Sequence, residues 1–228
     1  MKTLLSWSSG KDSAWTLHVL RQTPGIEVAG LLTTLNEAHG RVAMHGVREE
    51  LVDAQAAAAG IPFWRVGIPD PCDNATYEAG MRDVLTVARK FGIEAVAFGD
   101  LFLEDIRAYR EKQMGPTGMK TLFPIWGTPT ASLARDMIAA GLQARVTCVD
   151  PKVLDRSFAG RAFDEAFLAD LPAGVDPCGE RGEFHTFAWS GPMFARPVPV
   201  RVGEIVERGG FVFADLLPDH VEPSGRGQ

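Results

Sequence analysis

Leu4–Trp15 reads LLSWSSGKDSAW, and its pattern decides how the rest of the chain is read. A short apolar run, Thr3–Trp7, reads as a buried strand. Small residues, a lysine and an aspartate follow. From Ser13 the apolar positions Ala14, Leu17, Val19 and Leu20 fit a helix running to about Arg21, stopped by "TPG". A helix that opens directly after a strand points unpaired backbone N–H groups, and the positive end of its dipole, at the loop. Small side chains let an anion approach those groups. Ser8, Ser9 and Ser13 add hydroxyls around Gly10, and Lys11 adds a mobile positive charge. The stretch therefore reads as a phosphate cradle. It is not a Walker A loop, because Asp12 follows the lysine and the first glycine is missing.

Outward from this loop, strand and helix alternate. Val28–Leu32 reads as a second strand, Val47–Ala59 as a helix closed by Gly60, and "IPFWRVGI" as a third strand. Asn74–Phe91 follows as a long helix, then "IEAVAFGD" as a fourth strand, "EDIRAYREKQM" as a helix, and "KTLFPIWG" as one more extended segment. The strands are apolar on both faces, which predicts an α/β fold with a parallel sheet covered by helices on both sides. Ligands of such folds sit at the carboxyl ends of the strands. The chemistry-bearing stretches are expected to follow strands directly. Beyond about Thr128 the pattern changes to a helix at Ser132–Ala140, a strand at "QARVTCVD", a charged helical piece at Gly160–Leu171 and a β-rich remainder. We expect an N-terminal nucleotide domain over 1–128, a smaller substrate-binding α+β domain over 129–218, and a disordered tail over 219–228.

The composition narrows the function. With 46 % hydrophobic and 23 % charged residues, the 228-residue chain can bury a core without disulfides. Three scattered cysteines and no CxxC argue against a disulfide framework or zinc, so no metal-ligating cluster is expected and the cytoplasm is the natural location. No signal peptide or membrane span is expected. The net charge of -6 and the lack of a basic tract interleaved with aromatics speak against nucleic acid as a partner.

"SSGKDS" (8–13) resembles the SGGKDS signature of the PP-loop ATP pyrophosphatases, with Ser9 in place of a glycine. That is tolerable unless the position needs a positive φ. Together with "FGDLFLEDIRAYREKQM" (98–114) and "DPCGERGEFHTF" (176–187), it makes the chain similar to the diphthine–ammonia ligase family, on a distinct bacterial-type branch. The resemblance implies a HUP-type, Rossmann-like fold. It also implies that ATP and Mg²⁺ are used to adenylate a carboxylate, which ammonia then attacks to give an amide. The acceptor is a carboxylate-bearing small molecule or protein, and a homodimer is reasonable.

On this reading Lys11, the loop amides and a Mg²⁺ ion stabilise the transferring phosphoryl group. Ser8, Ser9, Gly10, Lys11, Asp12 and Ser13 bind phosphates. Asp12 either caps the helix or meets a cation. Gly99 admits the ligand to the backbone, and Asp100 accepts from a ribose hydroxyl, holds a cation or substrate group, or caps a helix. In this superfamily the region of Thr33, Thr34, Asn36, Met44 and His45 reaches adenine. Arg107, seven residues beyond Asp100, shares its face if the helix is continuous and contacts an anion. Glu183, as base for ammonia, and Thr186, holding an oxygen, are the first choices on the acceptor side. Glu180, Gly182 and His185 follow as substrate contacts. Trp126 can line a pocket. Two rivals stay open: an ATP-binding regulatory module without adenylyl transfer, and an RNA-thiolating enzyme.

Overall fold

The computed structural model describes residues 1–42 and 45–219. Met44 and the tail beyond Asp219, both named above, lie outside the described residues. The chain runs β1 (Lys2–Ser6), α1 (Lys11–Gln22), β2 (Glu27–Asn36), β3 (Arg41–Val42), α2 (Glu49–Ala59), β4 (Phe63–Ile68), α3 (Asn74–Lys90), β5 (Ala95–Ala97), α4 (Glu104–Met114) and β6 (Lys120–Leu122). It continues through α5 (Thr130–Ala139), β7 (Gln143–Val149), α6 (Glu165–Asp170), β8 (Phe184–Ser190), β9 (Val200–Arg208) and β10 (Phe211–Pro218).

The first sheet is Rossmann-like. Its parallel strands lie in the order β4-β2-β1-β5-β6, and β3 pairs antiparallel with the end of β2. Chain order reverses at β1, whose neighbours are β2 on one side and β5 on the other. The crevice at the carboxyl ends of β1 and β5 is thus the ligand position that the topology favours. Burial follows the pleat. Leu5 joins Leu17 and Leu20 of α1 and Leu51 and Val52 of α2 in one core. Leu4 joins Leu85 and Ala88 of α3 and Met114 of α4 in another. Successive strand residues face opposite sides, so helices cover both faces, as the two-sided apolar strands predict.

The second sheet is antiparallel, in the order β8-β7-β10-β9. Phe184 and Phe187 of β8 and Leu133 and Met137 of α5 share the core of α1 and α2. Gln55 of α2, fully buried, binds the two sheets together. Its amide donates to the carbonyls of Ser9 (3.0 Å) and Ala188 (2.6 Å), and its oxygen accepts from the Trp7 indole (2.9 Å).

Three expectations change. First, β2 extends through Asn36, so Thr33 and Thr34 lie in the strand rather than after it. Second, residues 160–164 are not helical, and α6 is confined to Glu165–Asp170 behind its cap Asp164. Third, the "CGERGE" stretch precedes β8 instead of following a strand.

Candidate active site

A cavity of about 520 Å³ opens at the carboxyl ends of β1 and β5. Four segments bring chemistry to it. The loop after β1 supplies Ser8, Lys11, Asp12 and Ser13. The end of β5 supplies Gly99 and Asp100. The β3–α2 connection supplies His45, and the segment that runs into β8 supplies Gly179 and Glu180 before the strand and His185 and Thr186 within it.

The loop is held in an uncommon conformation. Ser9 has φ +70°, the one positive value at a non-glycine among the described residues. The position therefore does require the conformation that glycine favours. Serine adopts it at a strain cost of about 1–2 kcal/mol. The Ser9 hydroxyl is buried without a partner and does not line the cavity. Gly10 has φ -81° and needs no glycine for its backbone. Its need is space: a Cβ there would sit 3.1 Å from the Thr186 carbonyl and 3.2 Å from His45 Cε1. Gly99 likewise lets β5 approach the start of α1, because a Cβ would lie 3.0 Å from Thr16 Oγ1.

Lys11 is not the mobile surface charge its sequence position suggests. It is 2 % exposed. Its Nζ donates to Asp12 Oδ2 at 2.9 Å and to the Cys178 carbonyl, and lies 5.2 Å from the Phe184 ring centroid. Burial pulls the ammonium's pKa down, but Asp12 above all outweighs it, and the group stays charged with its pKa raised. The Lys11 amide, in the first turn of α1, donates to Thr186 Oγ1 at 3.0 Å. Gly10 has no side chain to cap α1, so β8 caps it instead. Beyond it, Asp12 and Ser13 carry N–H groups with no partner within the helix.

Carboxylates gather opposite Lys11. Asp12 Oδ1 and Asp100 Oδ2 are buried without hydrogen-bond partners. Burial raises the pKa of Asp100, against the opposing pull of Arg110, whose Nε is 3.5 Å away. Glu180 accepts from the Leu101 amide at 2.7 Å. Burial, reinforced by Asp12 and Asp100, lifts its pKa to about 7. Among the described residues no three His, Cys, Asp or Glu side chains converge as a metal site. A divalent ion bridging phosphates needs fewer protein ligands, and Asp12 Oδ1 is an unused donor for one. The rings of His45 and His185 lie 4.5 Å apart. Burial keeps both neutral, His45 at about 3 and His185 at about 4. Leu32, Val42, Met81 and Ile106 supply apolar wall.

Several expected residues lie elsewhere. Glu183 is 5 % exposed and outside the cavity lining. Its two oxygens accept from the amides of Asp176 (3.0 Å) and Arg181 (2.9 Å), so it braces the loop that carries Glu180. Gly182, at φ +87°, forms the turn of that loop without touching the cavity. Arg107 pairs with Glu111 at 2.9 Å and covers Phe123 and Trp126, so neither Arg107 nor Trp126 lines the cavity. Arg110 occupies the place expected of Arg107. Thr33 points inward and donates to the Trp7 carbonyl at 2.7 Å, whereas its neighbour Thr34 lines the cavity. Asn36 closes the β2–β3 turn by accepting from Ala38 at 3.0 Å. Tyr77 and Met81 of α3 line the cavity and were not singled out in the sequence.

Fold and site together define a Rossmann-like α/β protein whose first strand–loop–helix turn is closed over by a second sheet. Residues 1–121 match the family model of the diphthamide synthase N-terminal domain, and residues 129–213 match that of its C-terminal domain. The chain belongs to the diphthamide synthase family. Relatives named diphthine–ammonia ligase include one from Danio rerio, 26 % identical over 92 % of this chain and 90 % of its own. Another, from Homo sapiens, is 26 % identical over 75 % of this chain and 69 % of its own. The chain spans only 37 % of the Schizosaccharomyces pombe relative, to which it is 26 % identical. No helix among the described residues is long and apolar enough to cross a membrane.

Proposed function

We propose that the protein is an ATP-dependent amidoligase: it transfers AMP from ATP to an acceptor carboxylate, releases pyrophosphate, and exchanges AMP for ammonia. The observation that carries this reading is the contact between Lys11 Nζ and the Cys178 carbonyl. It brings the "SSGKDS" and "CGERGE" stretches, 167 residues apart, into one cavity. The first stretch suits phosphates. The second brings a base.

Hydroxide is a poor leaving group, so a carboxylate resists ammonia until it is activated. In the first step a carboxylate oxygen attacks the α-phosphorus of ATP, the bond to the bridging α–β oxygen breaks, and pyrophosphate leaves. The free amides at the start of α1, Ser8, Ser13 and the charged Lys11 hold the phosphates and offset the charge that builds on them. A Mg²⁺ ion would be held by Asp12 and would supply Lewis-acid polarisation of the phosphates. In the second step the nitrogen lone pair attacks the carbonyl carbon, the C–O bond to AMP breaks, and the nitrogen's proton passes to Glu180. A carboxylate with a pKa of about 7 is matched to that task. Asp100 and Glu180 line the cavity where the attacking ammonia is to sit. Neutral His45 and His185 offer a flat, uncharged surface suited to the base or ribose. We thus move the ammonia-side role from Glu183 to Glu180 and the anion contact from Arg107 to Arg110. We also move Thr186 from holding an oxygen to fixing the loop, since its Oγ1 accepts from the Lys11 amide at 3.0 Å.

The charged lining supports an enzyme over a binding module, which needs no buried carboxylates beside its phosphates. Thiol chemistry is disfavoured because burial raises the pKa of the Cys178 thiol and suppresses its thiolate.

The test is to supply ATP, Mg²⁺ and ammonium with a panel of carboxylates and to measure AMP, pyrophosphate and amide. We expect stoichiometric AMP and amide with at least one acceptor. Release of ADP and phosphate instead of AMP would overturn the reading.

A further inference from the structure

We propose that a second chamber, between α3 and α4, is the acceptor site, and that it takes a small carboxylate with an apolar body and a second anionic group. Only the word "acceptor" rests on the ligase reading; the chamber and its charge stand without it. The chamber measures about 660 Å³ and adjoins the first cavity, sharing Tyr77, Met81, Phe98 and Arg110 with it. A molecule seated there reaches the first cavity without crossing the phosphate loop.

Its charge runs against that of the chain. Arg82, Arg89, Arg110 and Lys112 line it against a single acid, Glu78, in a protein of net charge -6. Glu78 is engaged by Gln113 at 2.7 Å and Arg89 by the Thr117 carbonyl at 2.6 Å. Arg82 and Lys112 form no ion pair with any described residue, and both are exposed. The floor is apolar, with Leu85, Phe98 and Met114 buried. An anion with an apolar body matches both features.

Arg110 marks the junction. Its guanidinium covers the Phe98 ring at 4.9 Å, and its buried Nε faces Asp100 Oδ2 at 3.5 Å, an ion pair without a hydrogen bond. A guanidinium carries more N–H donors than one carboxylate occupies, and an incoming carboxylate oxygen would accept from one that Asp100 leaves free. The carboxylate to be activated is thereby held at the border of the phosphate cavity, and the second anionic group meets Arg82 and Lys112 at the rim.

The probe is sebacate, a ten-carbon dicarboxylate, with decane-1,10-diol as the uncharged control of equal length. Binding to the full chain is followed by ligand-observed NMR and calorimetry. We expect saturable binding of sebacate and none of the diol. The double variant Arg82→Ser/Lys112→Ser should weaken sebacate at least about tenfold. Thr86→Trp, which fills the exposed wall without changing charge, should weaken it comparably. Affinity for a non-hydrolysable ATP analogue should change by less than about twofold, because additivity holds for separate sites. Failure of sebacate to saturate, indifference to both variants, or an equal loss of nucleotide affinity would overturn the proposal. If sebacate binds as described but no carboxylate yields AMP, the site stands and the ligase reading falls.

Discussion

The amide of Lys11 donates to Thr186 Oγ1 at 3.0 Å, across 175 residues of sequence. One hydroxyl on β8 therefore both caps α1 and ties the second sheet to the loop after β1. Thr186→Val keeps the volume and removes the acceptor. Loss of a cap costs about 1 kcal/mol. Urea denaturation should show that loss, with Thr186→Ser restoring most of it. An unchanged midpoint for the valine variant would mean that water replaces the cap.

Ser9 offers the opposite sign. At φ +70° with an unpartnered buried hydroxyl, it is strained twice. Ser9→Gly should stabilise the protein by about 1 kcal/mol, the relief of strain exceeding glycine's entropy in the unfolded chain. For a chain of this size that raises the melting temperature by about 2–4 °C. Ser9→Ala removes the orphan hydroxyl but keeps the strain, so its gain should be smaller. A destabilised glycine variant would show that the hydroxyl is satisfied in solution.

Much of this architecture is legible in the sequence, and the omissions have physical causes. The strand–loop–helix reading of Leu4–Trp15 follows from local spacing, and it leads to the sheet because two-sided apolar strands need helices on both faces. Arg107 is misplaced because helical spacing is counted from Asp100, whereas α4 begins at Glu104. The non-helical residues between them break the phase, and Arg110 is the residue that returns to Asp100. Glu183 stands beside Phe184, where β8 begins, and its carboxylate is taken by amides of its own turn. No periodicity announces such a turn. Tyr77 and Met81 escape notice because which face of α3 meets the cavity depends on strand order, a property of the whole sheet.

Lys11 and Asp12 form a buried pair, so a simple test of the lysine is ambiguous. Lys11→Met preserves packing against Phe163 and Phe184 but leaves Asp12 uncompensated. Breaking a buried pair costs about 3–5 kcal/mol, less here because Asp12 is 26 % exposed. The double variant Lys11→Met/Asp12→Asn should recover most of that stability by thermal melting, yet form no AMP. Recovery of AMP formation together with stability would remove Lys11 from the chemistry.

Glu180 gives the pH dependence its sign. Its pKa is lifted from the ordinary 4.5 to about 7 in the folded protein, chiefly by burial. The folded state therefore binds the proton more tightly than the unfolded chain. The stability this group contributes is fully present below about pH 4.5 and is lost as pH rises through about 7. The base role proposed for it runs the other way, since only the ionised form accepts a proton. Amide formation should rise with pH through about 7 while the Glu180 contribution to stability falls. Glu180→Gln should flatten both trends and lower amide formation by about 10²–10⁴-fold. Affinity for the ATP analogue should survive, because the Leu101 amide still finds an acceptor in the glutamine oxygen. Rates and stabilities measured from pH 5.5 to 8.5 decide the matter. If the variant keeps the wild-type pH profile of amide formation, a group other than Glu180 takes the proton.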